Sequence, residues 1–285
     1  MIDFFPASKR PYVIVAPPYD SASAGVRALH HLCHALNLAG YPAGIALMEG
    51  KPGPHAFHPG LVTPLPAWID DNSIVVYPDL IGDINPLKAK NVVRFLLYYA
   101  GRLGARTKNF APTDAIWAWS RRIAADIGTE NVLTVPVVNT KVFHPPEEGA
   151  HRKGALVYAR KYQSVFGGKL LPVSDGALEL TGEGRTTEQV ADMLRKAEVL
   201  FVYENSTIIR EATVCGCPVV CVWNEHFTEV LDDAEFQMGG VVDDIADLDK
   251  ARATLRAQST IHLAAFHRFN QALQQFIAQT QGMTP

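Results

Sequence analysis

The chain has 285 residues, 26 lysines and arginines against 29 acidic residues, and a formal net charge of −3. At a typical ~150 residues per domain, that length provides for roughly two domains, each able to bury its own core. The charge balance argues against general affinity for nucleic acid without excluding it, since counterion release would have to come from a local basic patch. Hydrophobic residues make up 48% and charged residues 19%, as in globular proteins. No run approaches the ~20 apolar residues needed to cross a bilayer, so a soluble protein is expected.

The first residues, MIDFFPASKRPYVIVAPP, lack a basic region ahead of a sustained apolar run and a small-residue cleavage site, so secretion is not indicated. Tyr12 to Ala16 is a short β-branched run stopped by Pro17-Pro18, followed by small residues from Ser21 to Gly25 and apolar positions at Val26, Leu29, Cys33 and Leu36. The pattern predicts strand, loop and helix. Gly40 ends that helix, Ala43 to Leu47 is a second strand, and Glu49 to Pro66 is a loop rich in Gly, Pro and His. Ser73 to Tyr77 is a third strand. An apolar helix is expected from Leu87 to Leu103, another from Ile116 to Ile127, and a strand at Val132 to Val135. Strands alternating with helices imply a parallel sheet covered on both faces.

The polar, Pro-rich stretch from Val142 to Arg152 is read as a linker, after which a second series begins. It comprises strands at Ala155–Ala159, Leu170–Val173, Val199–Tyr203 and Val219–Val222, with helices at Thr187–Ala197, capped by Thr186, and Thr207–Cys215. Apolar residues at Phe266, Phe269, Leu273 and Phe276 form a helical stripe that must be buried. The expected organisation is an α/β protein of two Rossmann-like domains, residues 1–143 and 144–259, with a terminal helix, 260–285, crossing back to the first. Cys33 stands alone, while Cys215, Cys217 and Cys221 cluster where a helix runs into a strand. Neighbours along one strand are poorly placed for a disulfide, and a metal site would want a fourth ligand. Buried, reduced thiols in a cytoplasmic protein are expected.

Ligands of doubly wound sheets bind beyond the carboxyl ends of the strands, which in a two-domain pair are expected to face each other across a cleft. In the second half those positions hold Arg160 and Lys161, then Glu204, Asn205, Ser206 and Thr207, with Glu211 in the following helix. Two cations suit a diphosphate, a helix start with Ser and Thr offers N–H groups to it, and a carboxylate accepts bonds from ribose hydroxyls.

The segment ENSTIIREATVCGCPVV, Glu204 to Val220, resembles the nucleotide-sugar-binding signature of GT-B glycosyltransferases, in which a helix bearing Glu-Ala leads through Gly into a Pro-Val-Val strand. SAGVRALHHLCHALNLAGY resembles the family's first helix, and YPDLIGDINPLKAKNVVRFLL resembles a segment of bacterial polysaccharide glycosyltransferases. The resemblance implies a GT-B fold, a nucleoside diphosphate sugar held mainly by the C-terminal domain, and an acceptor held by the N-terminal one. It implies no bound metal and no other cofactor. Glu211 matches the ribose-binding glutamate and Arg160 the arginine after the first strand of the donor domain. This chain departs from the pattern at three places: Glu204 stands one residue beyond the position of the family's first glutamate, Lys161 replaces a lysine whose usual place holds Val165, and the paired glycines of the first loop are reduced to Gly25.

A base for the acceptor hydroxyl is expected in the N-terminal half, where Asp20, Asp79 and Asp83 follow strands. Each is also readable as a turn or loop-capping residue. His30 and His34 have a metal-compatible spacing but no acidic third ligand, and His55 and His58, in a Gly/Pro loop, either line an acceptor site or have no specific role. Lys88, Lys90, Arg94, Arg102 and Arg106 surround FLLYY, a stretch that would rest on a membrane carrying a lipid-linked acceptor, or simply be a buried element with a basic edge. The leading expectation is transfer of a sugar from a nucleoside diphosphate to a hydroxyl, with a saccharide of bacterial surface polysaccharide or lipopolysaccharide as acceptor. The alternatives are a nucleotide-sugar epimerase of the same fold, a non-catalytic nucleotide-binding subunit and a DNA-modifying glycosyltransferase.

Overall fold

The structure, a computed structural model, describes residues 8–48, 53, 55–102, 109–180, 184–237, 239–255 and 258–283. The chain divides into two compact units, Met1–Pro136 together with His267–Pro285, and Val137–Phe266.

The first unit contains β1 (Tyr12–Ala16), α1 (Ala24–Leu38), β2 (Ala43–Leu47), β3 (Ile74–Pro78), β4 (Asn91–Leu96), β5 (Ala115–Ala118) and α2 (Arg121–Ile127). Its sheet is parallel with order β2-β1-β3-β4-β5. β1, β3 and β4 are buried along their whole length, and for β1 and β3 this is why they read as continuous apolar runs rather than alternating ones. Helix α1 starts where the Ser23 side chain accepts the Val26 N–H, and it buries Val26, Leu29, Leu32, Cys33 and Leu36.

The expected helix from Leu87 to Leu103 is instead a turn followed by β4. Lys88 has φ 51°, a left-handed conformation that a helix cannot contain at its second residue. The side chain of Asn85 closes this turn, donating to the Ala89 carbonyl at 2.8 Å and accepting the Ala89 N–H at 2.9 Å. Phe95 and Leu96 are fully buried in the strand. Arg94 inside it is buried against Asp114 at 2.7 Å, donates to the Gly82 and Ile84 carbonyls, and lies over the Tyr77 ring. This part of the stretch is therefore core, not a basic edge to an apolar surface; Arg106 lies outside the described residues. Ile116 to Ile127 is likewise divided, because Ser120 caps α2 by accepting the Ile123 N–H only after β5 has ended. The strand expected at Val132–Val135 is reduced to one bridge, Ala118 to Val132.

The second unit contains β6 (Ala155–Tyr158), α3 (Arg160–Ser164), β7 (Leu178–Glu179), α4 (Thr187–Lys196), β8 (Val199–Val202), α5 (Ile208–Val214), β9 (Val219–Cys221), α6 (Asp233–Phe236), β10 (Val241–Val242) and α7 (Leu248–Thr254). The sheet is parallel with order β10-β9-β8-β6-β7. Counted from the first strand of each unit, both sheets have the order 2-1-3-4-5. Residues 170–173 do not pair: Pro172 lacks an N–H and begins a 3-10 turn through Ser174, and pairing resumes only at β7. The α4 start carries a full capping box, Thr186 with Gln189.

Arg152, in the expected linker, braces this unit. Its guanidinium donates to the carbonyls of Leu194, Ala197 and Cys215, groups at the C-terminal ends of α4 and α5, where a cation is favoured. The cysteines are unpaired and buried, and burial pushes the thiols of Cys33, Cys215, Cys217 and Cys221 up to about 12.

Helix α8 (Gln258–Gln281) begins in the second unit and from His267 onward belongs to the first. Phe269, Leu273, Phe276 and Ile277 are buried as the stripe predicts, whereas Phe266 is exposed. Phe276 stacks on Tyr12 and meets Trp117 edge-on, and the Tyr12 hydroxyl pairs with Thr280 at 2.7 Å. Among the described residues no helix is long and apolar enough to cross a membrane.

Candidate functional site

A sheet of order 2-1-3-4-5 has its crevice between strands one and three, where the connections leave in opposite directions. In the second unit that point lies between β6 and β8, and there the chain places Arg160 and Lys161 after β6, and Glu204 to Thr207 after β8. The Glu204 carboxylate is 4% exposed and its Oε2 accepts the Tyr162 N–H at 2.8 Å. Ala159, at the start of α3, has no side chain to cap the helix, so a carboxylate from the neighbouring strand end does so. Burial pushes the Glu204 carboxyl up, against the opposing pull of Lys161. The Lys161 ammonium stands 3.9 Å from Glu204 Oε1 and donates to the Asn205 carbonyl at 2.8 Å.

The Arg160 side chain differs from its neighbour. It is exposed, and its guanidinium makes no hydrogen bond or ion pair among the described residues. Beside it the Tyr158 hydroxyl is bonded to the Ser206 side chain and pushed up to about 12, first by burial and then by the charges of Glu204 and Glu211. Glu211 is 5% exposed, within α5, and Thr207 just before that helix is also buried. Asn205 is engaged elsewhere: its amide donates to the Glu229 carbonyl at 2.8 Å and accepts the Leu231 N–H at 3.0 Å. The structure thus brings Arg160, Lys161, Glu204 and Ser206 to one place, with Glu211 buried in α5 near Tyr158 and Asn205 turned to residues 229–231.

Several residues at this end of the sheet had no motif to mark them. Tyr158 ends β6. Tyr203 stacks on Tyr162 and its hydroxyl pairs with Ser174 at 2.7 Å. Asn224, after β9, donates to the Tyr203 carbonyl at 2.9 Å, and the next ring, His226, lies flat on Phe166 at 3.9 Å between centroids. Tyr158 and Tyr203, aromatic residues at the ends of short apolar strands, carry a sequence signal; Asn224 and His226 carry none.

In the first unit the corresponding crevice is between β1 and β3. Asp20 follows β1 and forms an Asx turn, Oδ1 accepting the Ala22 N–H at 2.8 Å. Asp79 follows β3, is 7% exposed, and accepts the Leu97 N–H at 3.1 Å. Asp83 is exposed, in a loop whose carbonyls, its own included, accept from Arg94. Gly25 lies in the first turn of α1, in this unit and not among the cations of the second; a Cβ there would meet Leu97 Cδ1 at 3.4 Å, an ordinary contact. His30 is bonded to the Pro17 carbonyl and His34 accepts the Val62 N–H, so the two rings serve different backbone segments. Among the described residues no three His, Cys, Asp or Glu side chains are grouped to hold a metal ion.

No family model and no curated protein matches this sequence. Among solved structures, sucrose-phosphate synthase from Thermosynechococcus elongatus superposes with a TM-score of 0.51 at 12% identity, over 92% of this chain and 99% of the other. A protein assigned as a UDP-N-acetylglucosamine 2-epimerase from Listeria monocytogenes gives 0.45 at 10% identity over 94% and 91% of the two chains. The T4 phage enzyme BGT in complex with UDP-glucose gives 0.44 at 12% over 95% and 96%. With two Rossmann-like units of five parallel strands each, the chain has the GT-B fold.

Proposed function

We propose that this chain is a glycosyltransferase that moves a sugar from a nucleoside diphosphate sugar to an acceptor hydroxyl. The observation that carries the reading is Arg160, an exposed guanidinium at the crevice of the second sheet with no hydrogen bond or ion pair among the described residues. Fold alone does not fix an activity; an unengaged cation where ligands of such sheets bind gives the site a chemistry, recognition of a diphosphate. In this reading Lys161 adds charge, Ser206 and Thr207 offer hydrogen bonds to phosphate oxygens, and Glu211 takes the ribose hydroxyls. Glu204 holds the α3 backbone that presents Arg160 and Lys161.

The transfer forms a bond between the acceptor oxygen and the anomeric carbon and breaks the bond from that carbon to the phosphate oxygen. The electron pair leaves with the diphosphate, whose growing charge Arg160 and Lys161 stabilise. The hydroxyl proton passes to a carboxylate of the first unit. Of Asp20, Asp79 and Asp83, Asp20 suits this best, because it is half-exposed and has only one oxygen engaged by its turn. The acceptor class that the sequence resemblance implies, a saccharide or a lipid-linked saccharide of a bacterial surface polymer, finds no support in the first unit's cavity, whose lining is largely apolar and aromatic.

The test is incubation with a panel of nucleoside diphosphate sugars, with and without hydroxyl acceptors, following free nucleoside diphosphate and the sugar product. Acceptor-dependent release with a new glycoside is the expected result. Conversion of the donor sugar to an isomer without acceptor, or tight nucleotide binding with no turnover across the panel, would overturn it.

A further inference from the structure

We infer that the first unit carries a pocket for the non-reacting body of the acceptor, and that this body is an uncharged apolar ring system bearing a hydroxyl. The inference rests on the glycosyltransferase reading only for the word acceptor; the chemistry of the pocket stands by itself.

The cavity, of about 950 Å³, lies between the loop after β1 and the segment from His55 to Leu65, and its size suits a small-molecule site. Phe57, Leu61, Val62 and Leu65 give it apolar walls. Its polar side chains are those of Tyr19, His55, His58 and Thr63, and no Asp, Glu, Lys or Arg is among the described residues that line it. A phosphate or carboxylate would meet no countercharge among these lining side chains, Arg27 acting on Tyr19 only from outside the lining. A neutral ring would bury apolar surface and find aromatic faces, with Tyr19 packed on His58 at 4.9 Å and edge-on to His30 at 5.3 Å.

The wall is held in place before any ligand arrives. A Cβ on Gly44 would stand 2.7 Å from the Pro66 nitrogen and 2.8 Å from its Cα, so glycine at this point of β2 lets the 64–66 backbone lie directly against the strand. There the Ile45 N–H donates to the Pro64 carbonyl at 2.8 Å. From α1, Asn37 donates to the Val62 carbonyl at 3.1 Å, and His34 accepts the Val62 N–H at 2.9 Å. A preformed wall is what a binding site needs and a passive loop does not.

One polar group in this wall lacks a partner. Thr63 is 5% exposed, and its hydroxyl makes no hydrogen bond among the described residues. Buried hydroxyls are rarely left so; the oxygen is closed to solvent as it stands, and a turn about χ1 would offer it to a ligand hydroxyl. His58 accepts the Gly60 N–H on Nδ1 at 3.0 Å, which in the neutral ring puts its proton on Nε2, a second donor at the pocket. Of these walls Val62 and Leu65 are exposed, and a few residues further along the chain Trp68 and Ile69 are exposed as well, Trp68 at 65%. Residues 55–69 contain no lysine or arginine, so the strip offers nothing to anionic headgroups, and a small apolar ligand is its better occupant.

The test is calorimetric titration of the full chain at pH 7 with 2-naphthol, naphthalene and naphthalene-2-sulfonate. Saturable binding of 2-naphthol is expected, with the sulfonate weaker by about tenfold or more because it carries a charge into the pocket. Leu65→Asp should lower 2-naphthol affinity by a similar factor. Thr63→Val should lower it about fivefold, one lost hydrogen bond, while leaving naphthalene unchanged. Equal affinity for the neutral and anionic ligands, indifference to both substitutions, or co-sedimentation with phosphatidylcholine vesicles that 2-naphthol does not displace would each overturn the inference. Nucleoside diphosphates titrated in parallel separate the two proposals. Nucleotide binding without 2-naphthol binding overturns the pocket alone, and 2-naphthol binding through Leu65 and Thr63 without nucleotide binding overturns the glycosyltransferase reading alone.

Discussion

The crevices of the two sheets sit at the same topological point, between β1 and β3 in one and between β6 and β8 in the other, yet they are furnished with different chemistry. At the first, the carboxylates of Asp20 and Asp79 hold backbone N–H groups, and the cavity nearby is lined by rings and aliphatic side chains. At the second, ionisable side chains gather: Lys161 against Glu204, the hydroxyls of Tyr158 and Ser206, and Arg160 facing solvent. One sheet order therefore carries two chemistries, because the strands fix only where the loop residues sit. Which residues those are decides the charge at each crevice.

The comparison predicts that cations in the two units answer differently to removal. Arg94→Met in the first unit leaves Asp114, itself 4% exposed, without its ion pair, and should cost about 3–5 kcal/mol. Urea denaturation measures this; a loss below about 1 kcal/mol would show that the buried pair is not what holds the 82–84 loop. A smaller effect is expected at Asn205→Ala, which breaks the two bonds to Glu229 and Leu231 and should lower stability by about 1–2 kcal/mol. If nucleotide affinity falls while stability holds, Asn205 belongs to the ligand rather than to the loop.

Glu204→Gln should give the smallest change, and its sign depends on pH. Burial raises the Glu204 carboxyl above its ordinary 4.5, so folding favours the protonated form. Its contribution to stability is fully present below the unfolded value and is lost as pH rises through the folded one. The glutamine variant has no such loss, so its urea midpoint should gain on the wild type between acidic and neutral pH. The reverse trend would mean that the pairing with Lys161 outweighs burial.

Much of the sheet was legible because strands buried on both faces read as unbroken apolar runs, as in YVIVA and IVVYP. Strand β4 was not, since Arg94 and Asn91 interrupt the run and the turn at Lys88 leaves no local signature of its positive φ. Strand β7 was missed for another reason: Leu178 and Glu179 are exposed and too short to show a period. The positions of Arg160, Lys161, Glu204 and Glu211 followed from where strands end. What each side chain touches did not, because Glu204 reaching Tyr162 and Asn205 reaching Leu231 are contacts across 42 and 26 residues. The aromatic pocket is hidden for the same reason, its wall depending on Gly44 meeting Pro66.

The central claim is that the crevice of the second sheet receives a nucleoside diphosphate through Arg160, and calorimetry on Arg160→Ala addresses it most directly. Each nucleoside diphosphate that binds the wild type is titrated alongside its bare nucleoside, with urea denaturation as a control for the fold. The account predicts that diphosphate affinity falls about tenfold or more, the value of hydrogen bonds to a charged group. Nucleoside affinity and the denaturation midpoint should stay within error, Arg160 being exposed and without a hydrogen bond or ion pair among the described residues. Unchanged diphosphate affinity, or an equal loss for nucleoside and diphosphate, would contradict it.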